Sequence, residues 1–114
     1  MITVFTNDDP KKFYHSIQEA VKNGNIDTWE ETTRNYFTHC AASGQWRNKA
    51  WFTPNFPDEQ NRVIFNLIRP KNEKISKSVY AIYHGRFTEM LLRHFDDKFS
   101  KLSVSALAGE NDRV

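Results

Sequence analysis

The chain has 114 residues, which is enough for one domain with a hydrophobic core but too few for two. Charged residues make up 26% of it, yet the formal net charge is only +2, so the chain lacks the strong basic excess of a typical nucleic-acid-binding domain. An aromatic content of 14% argues against disorder. The single cysteine, Cys40, excludes a disulfide within the chain and a cysteine-based zinc cluster.

Targeting and membrane-spanning signals are missing from the sequence. The opening stretch, MITVFTNDDPKK, has neither the basic region nor the apolar region of a signal peptide. No apolar run approaches the ~20 residues that are needed to span a bilayer. We therefore expect a soluble cytoplasmic protein with no membrane partner.

The first elements are a strand and a helix. The run 2–6, ITVFT, is β-branched and aromatic, which predicts a strand. A helix is predicted to start at Pro10 with Asp9 as its N-cap, because aspartate caps helices well and proline suits the first helical position. It is expected to end at Lys22, since Gly24 lies just beyond.

The middle of the chain has the period-two pattern of strands. Strands are predicted over 27–33, 35–40, 46–53 and 62–68, with a turn at 41–45. The two prolines in 54–61 predict a loop. The last run, RVIFNLI, is almost continuously apolar, which predicts a central strand.

The longest predicted helix follows Ser76, its expected N-cap, and ends near Phe95. It has apolar residues around most of its circumference, which predicts packing on more than one side. His84 and His94 are expected on its apolar face as buried, hydrogen-bonded imidazoles; the alternative is that one of them lines a pocket or titrates near neutral pH. Gly85 is expected to allow a neighbouring element to pack closely.

A final strand is predicted where Leu102, Val104 and Ala106 alternate with serines. The complete order, β-α-β-β-β-β-α-β, predicts an α+β two-layer sandwich in which an antiparallel meander packs against two helices. Residues 1–107 are predicted to form this single domain and 108–114 a flexible C-terminal tail.

One candidate site is the predicted strand 46–53. Strict alternation would place Arg47, Lys49 and Trp51 on one face, and such a cationic and aromatic stripe on an open sheet is suited to single-stranded nucleic acid. The alternative is that Trp51 packs against a neighbouring element while the two cations are simply solvated at the sheet edge.

A second candidate site is a small-molecule or enzyme pocket between the sheet and the long helix. This site requires a pocket in which polar groups converge. The residues expected to line it are His39, Tyr83, His84 and Trp51. The sequence has no metal-ligand spacing, no glycine-rich phosphate loop and no catalytic motif. We therefore predict no catalytic residue, no metal and no cofactor.

Besides a nucleic-acid site and a small-molecule pocket, the sequence supports a third hypothesis, which ranks first. In it the chain is a non-catalytic domain that acts through protein contacts, as a homodimer or within a complex. It depends on the excess of large side chains over what so small a domain can bury, which would leave an apolar patch for a partner. Exposed tryptophans among Trp29, Trp46 and Trp51 would support it.

Overall fold

Six strands and two helices follow one another in the predicted order, in a computed structural model that describes residues 1–41, 44–57 and 61–114. The elements are β1 (Ile2–Thr6), α1 (Pro10–Lys22), β2 (Trp29–Glu31), β3 (Phe37–His39), β4 (Trp51–Asn55), β5 (Arg62–Ile68), α2 (Lys77–Phe95) and β6 (Phe99–Val104).

The strands of the described residues form one antiparallel sheet in the order β2-β3-β4-β5-β1-β6. The predicted meander is confirmed, since β2 to β5 are neighbours in sequence order. β5 pairs with β4 on one side and with β1 on the other, so the apolar run 62–68 is a central strand, as predicted.

Both helices pack on the same face of the sheet. Phe65 of β5 shows this, because its ring centroid lies 6.4 Å from that of Tyr14 in α1 and 4.9 Å from that of Phe87 in α2. All three side chains belong to the buried hydrophobic core. The fold is therefore the predicted α+β two-layer sandwich, and no helix of the described residues lies on the second face of the sheet.

The helix starts are confirmed by their caps. The Asp9 carboxylate accepts a hydrogen bond from the Lys11 amide at 2.9 Å, and Pro10 is the first residue of α1. The Ser76 hydroxyl accepts one from the Val79 amide at 3.1 Å. Each cap satisfies a backbone donor that the helix itself leaves free.

The predicted strand over 46–53 is wrong in its first half, because this part of the chain turns. The Lys49 amide donates to the Trp46 carbonyl at 3.3 Å, and Asn48 adopts a left-handed backbone with φ of 59°. The hydroxyl of Thr38, from β3, accepts a hydrogen bond from the Asn48 amide at 3.0 Å. Asparagine tolerates this conformation better than most residues, so the turn replaces extended chain until β4 begins.

The predicted loop over 54–61 starts later than expected, since Pro54 and Asn55 still belong to β4. Only Phe52 of β4 pairs with β3, so Pro54 lies beyond that pairing and needs no partner there for the amide hydrogen that it lacks. Positions 58–60 of this loop, and 42–43 of the predicted turn, lie outside the described residues.

The predicted strands over 27–33 and 35–40 are shorter in the structure, where they are β2 and β3. A turn separates them, in which the Asn35 amide donates to the Thr32 carbonyl at 2.9 Å and Asn35 has a φ of 64°. The last strand, β6, begins at Phe99 and ends before Ala106.

Two expectations for α2 are wrong. His94 is exposed, because ten residues of helix turn it about 80° away from the direction of His84. Gly85 is exposed too, and a Cβ atom at this position would meet nothing within 4 Å. Close packing of a neighbouring element therefore does not explain this glycine.

Candidate functional site

The three interior candidates, His39, Tyr83 and His84, are buried between the helices and the sheet, with exposures of 4%, 0% and 3%. Their rings pack against other rings: the His39 centroid lies 6.3 Å from that of Tyr83, and the His84 centroid 5.2 Å from that of Phe52. Trp51, the fourth predicted lining residue, precedes Phe52 on β4 and so points to the other face of the sheet. The structure does not bring the four into one cavity.

His84 is a buried imidazole with both ring nitrogens paired. Nδ1 lies 2.8 Å from the Tyr80 carbonyl oxygen and therefore donates to it, which leaves Nε2 to accept from the Met1 amino nitrogen at 2.7 Å. Burial lowers the pKa of His84 to about 4, and the Met1 amino group acts in the same direction. The imidazole is neutral at neutral pH, as expected of a structural core histidine.

His39 is also kept neutral by its surroundings. Its ring centroid lies 5.0 Å from that of Trp29, and burial lowers its pKa, an effect that the Thr28 backbone partly offsets. Its Nδ1 has no hydrogen-bond partner among the described residues.

Tyr83 connects α2 to the turn before β4. Its hydroxyl contacts the Trp46 carbonyl and lies 3.0 Å from the Thr38 hydroxyl, and burial raises its pKa. These contacts satisfy the hydroxyl inside the core. Tyr83 therefore acts as a packing residue.

The three predicted surface residues are separated. Arg47 and Lys49 are exposed on the turn, where Nε of Arg47 pairs with the Glu30 carboxylate at 3.2 Å. Trp51 is half-buried at the start of β4. A shared stripe requires extended backbone from 47 to 51, and the turn at Asn48 removes it.

Trp51 instead lies in a groove on the face of the sheet opposite the helices, which we call the sheet-face groove. The groove has a volume of about 1110 Å³ and is open to solvent. Its lining comes from the β2–β3 turn, the start of β4, the end of β5 with the loop that follows it, and the C-terminal segment 108–114.

Two aromatic side chains line the groove, Tyr36 immediately before β3 and Trp51 at the start of the neighbouring β4, and both are half-buried. Each precedes a fully buried phenylalanine, Phe37 or Phe52, and these two are paired in register and pack against Phe87 of α2. Since neighbouring side chains on a strand point to opposite faces, Tyr36 and Trp51 point away from the helices.

The groove is also lined by four exposed cationic side chains: Arg34, Arg69, Lys71 and Arg113. Among the described residues, none of the four forms an ion pair with a carboxylate. The one carboxylate side chain of the lining, Asp112, is 0% exposed and is engaged in hydrogen bonds. The charge that the groove presents through its side chains is therefore positive.

The C-terminal segment forms one wall of the groove by pairing with the end of β5. The Arg113 amide donates to the Leu67 carbonyl at 2.9 Å, and the Arg69 amide donates to the Arg113 carbonyl at 2.7 Å. Arg113 and Ile68 form a parallel bridge. The segment predicted as a flexible tail thus makes backbone contacts with the sheet, while its mobility stays a prediction.

Comparison of the chain with protein-family models, with curated proteins and with solved structures gave no match.

Within the part of the chain that the structure describes, no three His, Cys, Asp or Glu side chains come together in a way that would hold a metal ion. Neither helix there is both long and apolar enough to cross a membrane.

Sequence reasoning found one residue of the sheet-face groove, Trp51, and missed the others. The missed cations come from three distant parts of the chain, Arg34, then Arg69 with Lys71, and Arg113, so no local spacing marks all four as a group. The sequence gives one weak indication that Tyr36 faces away from the core. It precedes Phe37 in a strand-like run, and neighbouring side chains of a strand point to opposite faces.

Proposed function

We propose that this protein is a non-catalytic binding module that holds single-stranded nucleic acid in the sheet-face groove. The observation that carries the proposal is the combination of two half-exposed rings, Tyr36 and Trp51, with four cations that have no carboxylate partner among the described residues. Bases stack on such rings and phosphates pair with such cations.

Single-stranded nucleic acid fits the groove better than a duplex does. The rings lie on a sheet face, and stacking on them requires bases that are not already stacked on both sides. Open sheets with exposed aromatic residues are an established platform for such stacking. The modest net charge of +2 is compatible with binding, because the cations that matter are concentrated on this one face.

The test of the stacking contact compares Trp51→Ala with Trp51→Phe. The probe is a fluorescein-labelled oligothymidylate of about 12 nucleotides, within the usual site size of single-strand binding domains, and its anisotropy is measured during titration. We expect Trp51→Ala to lose about 1–3 kcal/mol of binding free energy, which is roughly 5- to 150-fold in Kd.

The Trp51→Phe variant should retain most of the affinity, since it keeps a ring for stacking. Equal affinity of Trp51→Ala and the wild-type chain would contradict the proposal. Tighter binding of a matching duplex would contradict the preference for single strands.

Action through protein contacts, as a homodimer or within a complex, stays a prediction. Trp29 is buried, whereas Trp46 is half-buried, and the large exposed apolar side chains among the described residues are Leu92, Val104, Leu107 and Val114. Single exposed apolar residues are common on monomeric proteins, so these four give only weak support for self-association. The groove gives stronger support for an anionic ligand. A native mass spectrum of the untagged protein reports the oligomeric state directly.

A further inference from the structure

Asp112 belongs to the C-terminal segment, and its carboxylate accepts four hydrogen bonds. One oxygen accepts hydrogen bonds from the Leu67 amide at 2.9 Å and from the Asn66 side-chain amide at 3.0 Å. The other accepts from the Gly109 amide at 2.7 Å and from the Met1 amino nitrogen at 2.9 Å. The side chain is 0% exposed, so no ligand in the groove can reach it.

All four partners of this carboxylate are donors, and that explains the need for an aspartate. An ionised carboxylate is an acceptor at both oxygens, whereas an asparagine would direct its own NH₂ group at one pair of donors. Burial alone would raise the pKa of Asp112, but the hydrogen bonds from Met1, Asn66, Gly109 and Leu67 outweigh it and hold the pKa below its usual value. The acceptor-only form is therefore the form that is present at neutral pH.

The next residue, Arg113, contributes the cation of this segment to the groove lining. Its backbone is paired with Leu67 and Arg69, immediately beside Asp112, and its side chain is exposed in the groove lining. The position of this cation therefore depends on whether the segment stays against β5.

We propose that Asp112 is a positioning residue of the sheet-face groove. Its buried carboxylate fixes the C-terminal segment to β5 and thereby holds Arg113 where a phosphate of the ligand binds, without itself touching the ligand. This role rests on the proposed function of the groove.

The direction in which Asp112→Asn changes the binding affinity distinguishes this positioning role from a simple charge effect. Removal of a negative charge next to a polyanion site should tighten binding by Coulomb attraction alone. Positioning predicts the opposite for Asp112→Asn, because the displaced segment carries Arg113 away from the ligand. Glu110→Gln is the matched control, since it removes an exposed negative charge two residues away on the same segment.

The experiment measures binding of the labelled oligothymidylate between 50 and 200 mM salt by full-length wild-type, Asp112→Asn, Arg113→Ala and doubly substituted chains. We expect each single variant to bind roughly three- to tenfold more weakly at the low salt concentration and to reduce the salt slope by about 0.7, the value for one phosphate on a single strand. The double variant should be no weaker than Arg113→Ala. Glu110→Gln should bind at least as tightly as the wild-type chain.

Unchanged or tighter binding by Asp112→Asn, or losses that multiply in the double variant, would overturn the positioning role and leave the proposed function intact. A wild-type chain that does not bind the oligothymidylate would overturn both. If Asp112→Asn does not fold, Asn66→Ala takes its place, because Asn66 donates to both Asp112 and the Glu110 carbonyl. Its expected result is a smaller loss of affinity and of salt slope in the same direction, and wild-type values would overturn the role.

Discussion

At the scale of single residues, the chain keeps a histidine neutral inside its core. His84 is held between the Tyr80 carbonyl and the Met1 amino group, and its pKa is lowered to about 4 from an ordinary value of 6.5. Because the folded protein binds this proton more weakly than the unfolded chain does, acid favours unfolding. The stabilisation is complete above pH 6.5 and is lost as the pH falls from 6.5 towards 4.

This linkage predicts a shallower pH dependence of stability for His84→Gln. The wild-type free energy of unfolding should fall between pH 6.5 and 4, with about 3 kcal/mol of that fall due to His84. The variant should be less stable at pH 7 but should lose correspondingly less across this range, with a residual fall from His39, whose pKa is also lowered. Urea unfolding at pH 7, 6, 5 and 4 measures both curves.

The exposed imidazole on the same helix provides the matched control, His94→Gln. Parallel curves for wild-type and His84→Gln protein over this range would show that His84 is not the group responsible.

At the scale of secondary-structure elements, the bounds of the helices could be predicted, whereas those of several strands could not. Local signals define the helices, since Asp9 and Ser76 cap them through bonds to amides two or three residues away. The error at 46–49 has a long-range cause, because Thr38 accepts from the Asn48 amide across ten positions of sequence. Period-two alternation alone cannot reveal such a contact.

Gly85 gives a prediction at this scale. Alanine at this exposed helix position meets no neighbour, so Gly85→Ala should raise the free energy of unfolding by about 0.5–1 kcal/mol through a smaller entropy loss on folding. Urea unfolding at pH 7 measures the change. Gly24→Ala is the contrasting variant: Gly24 has a φ of +80°, so the same substitution should destabilise by roughly 1 kcal/mol. A destabilised Gly85→Ala variant would contradict this prediction.

At the scale of the whole molecule, the fold brings together residues that are far apart in the sequence. The sheet order places the β2–β3 turn, β4, the end of β5 and the C-terminal segment around one groove. The fold class and element order follow from local patterns. The groove does not, because Arg34 and Arg113 come together only through strand pairing and the bridge to Ile68.

Two cationic surfaces of the described residues are therefore competing candidates for the nucleic-acid site. The sequence pattern offers Arg47 and Lys49 as one candidate, and they lie on the turn before β4. The structure favours Arg69 and Lys71, which line the sheet-face groove. Both double alanine substitutions remove the same charge from exposed side chains, so they control for each other.

The most direct measurement is the salt dependence of oligothymidylate binding by Arg69→Ala/Lys71→Ala and by Arg47→Ala/Lys49→Ala. We expect the groove variant to bind much more weakly and to lose about 1.4 from the salt slope, the value for two phosphate contacts on a single strand. The turn variant should keep the wild-type slope. The reverse outcome, or a wild-type chain with no salt-dependent binding, would contradict the assignment of the sheet-face groove as the nucleic-acid site.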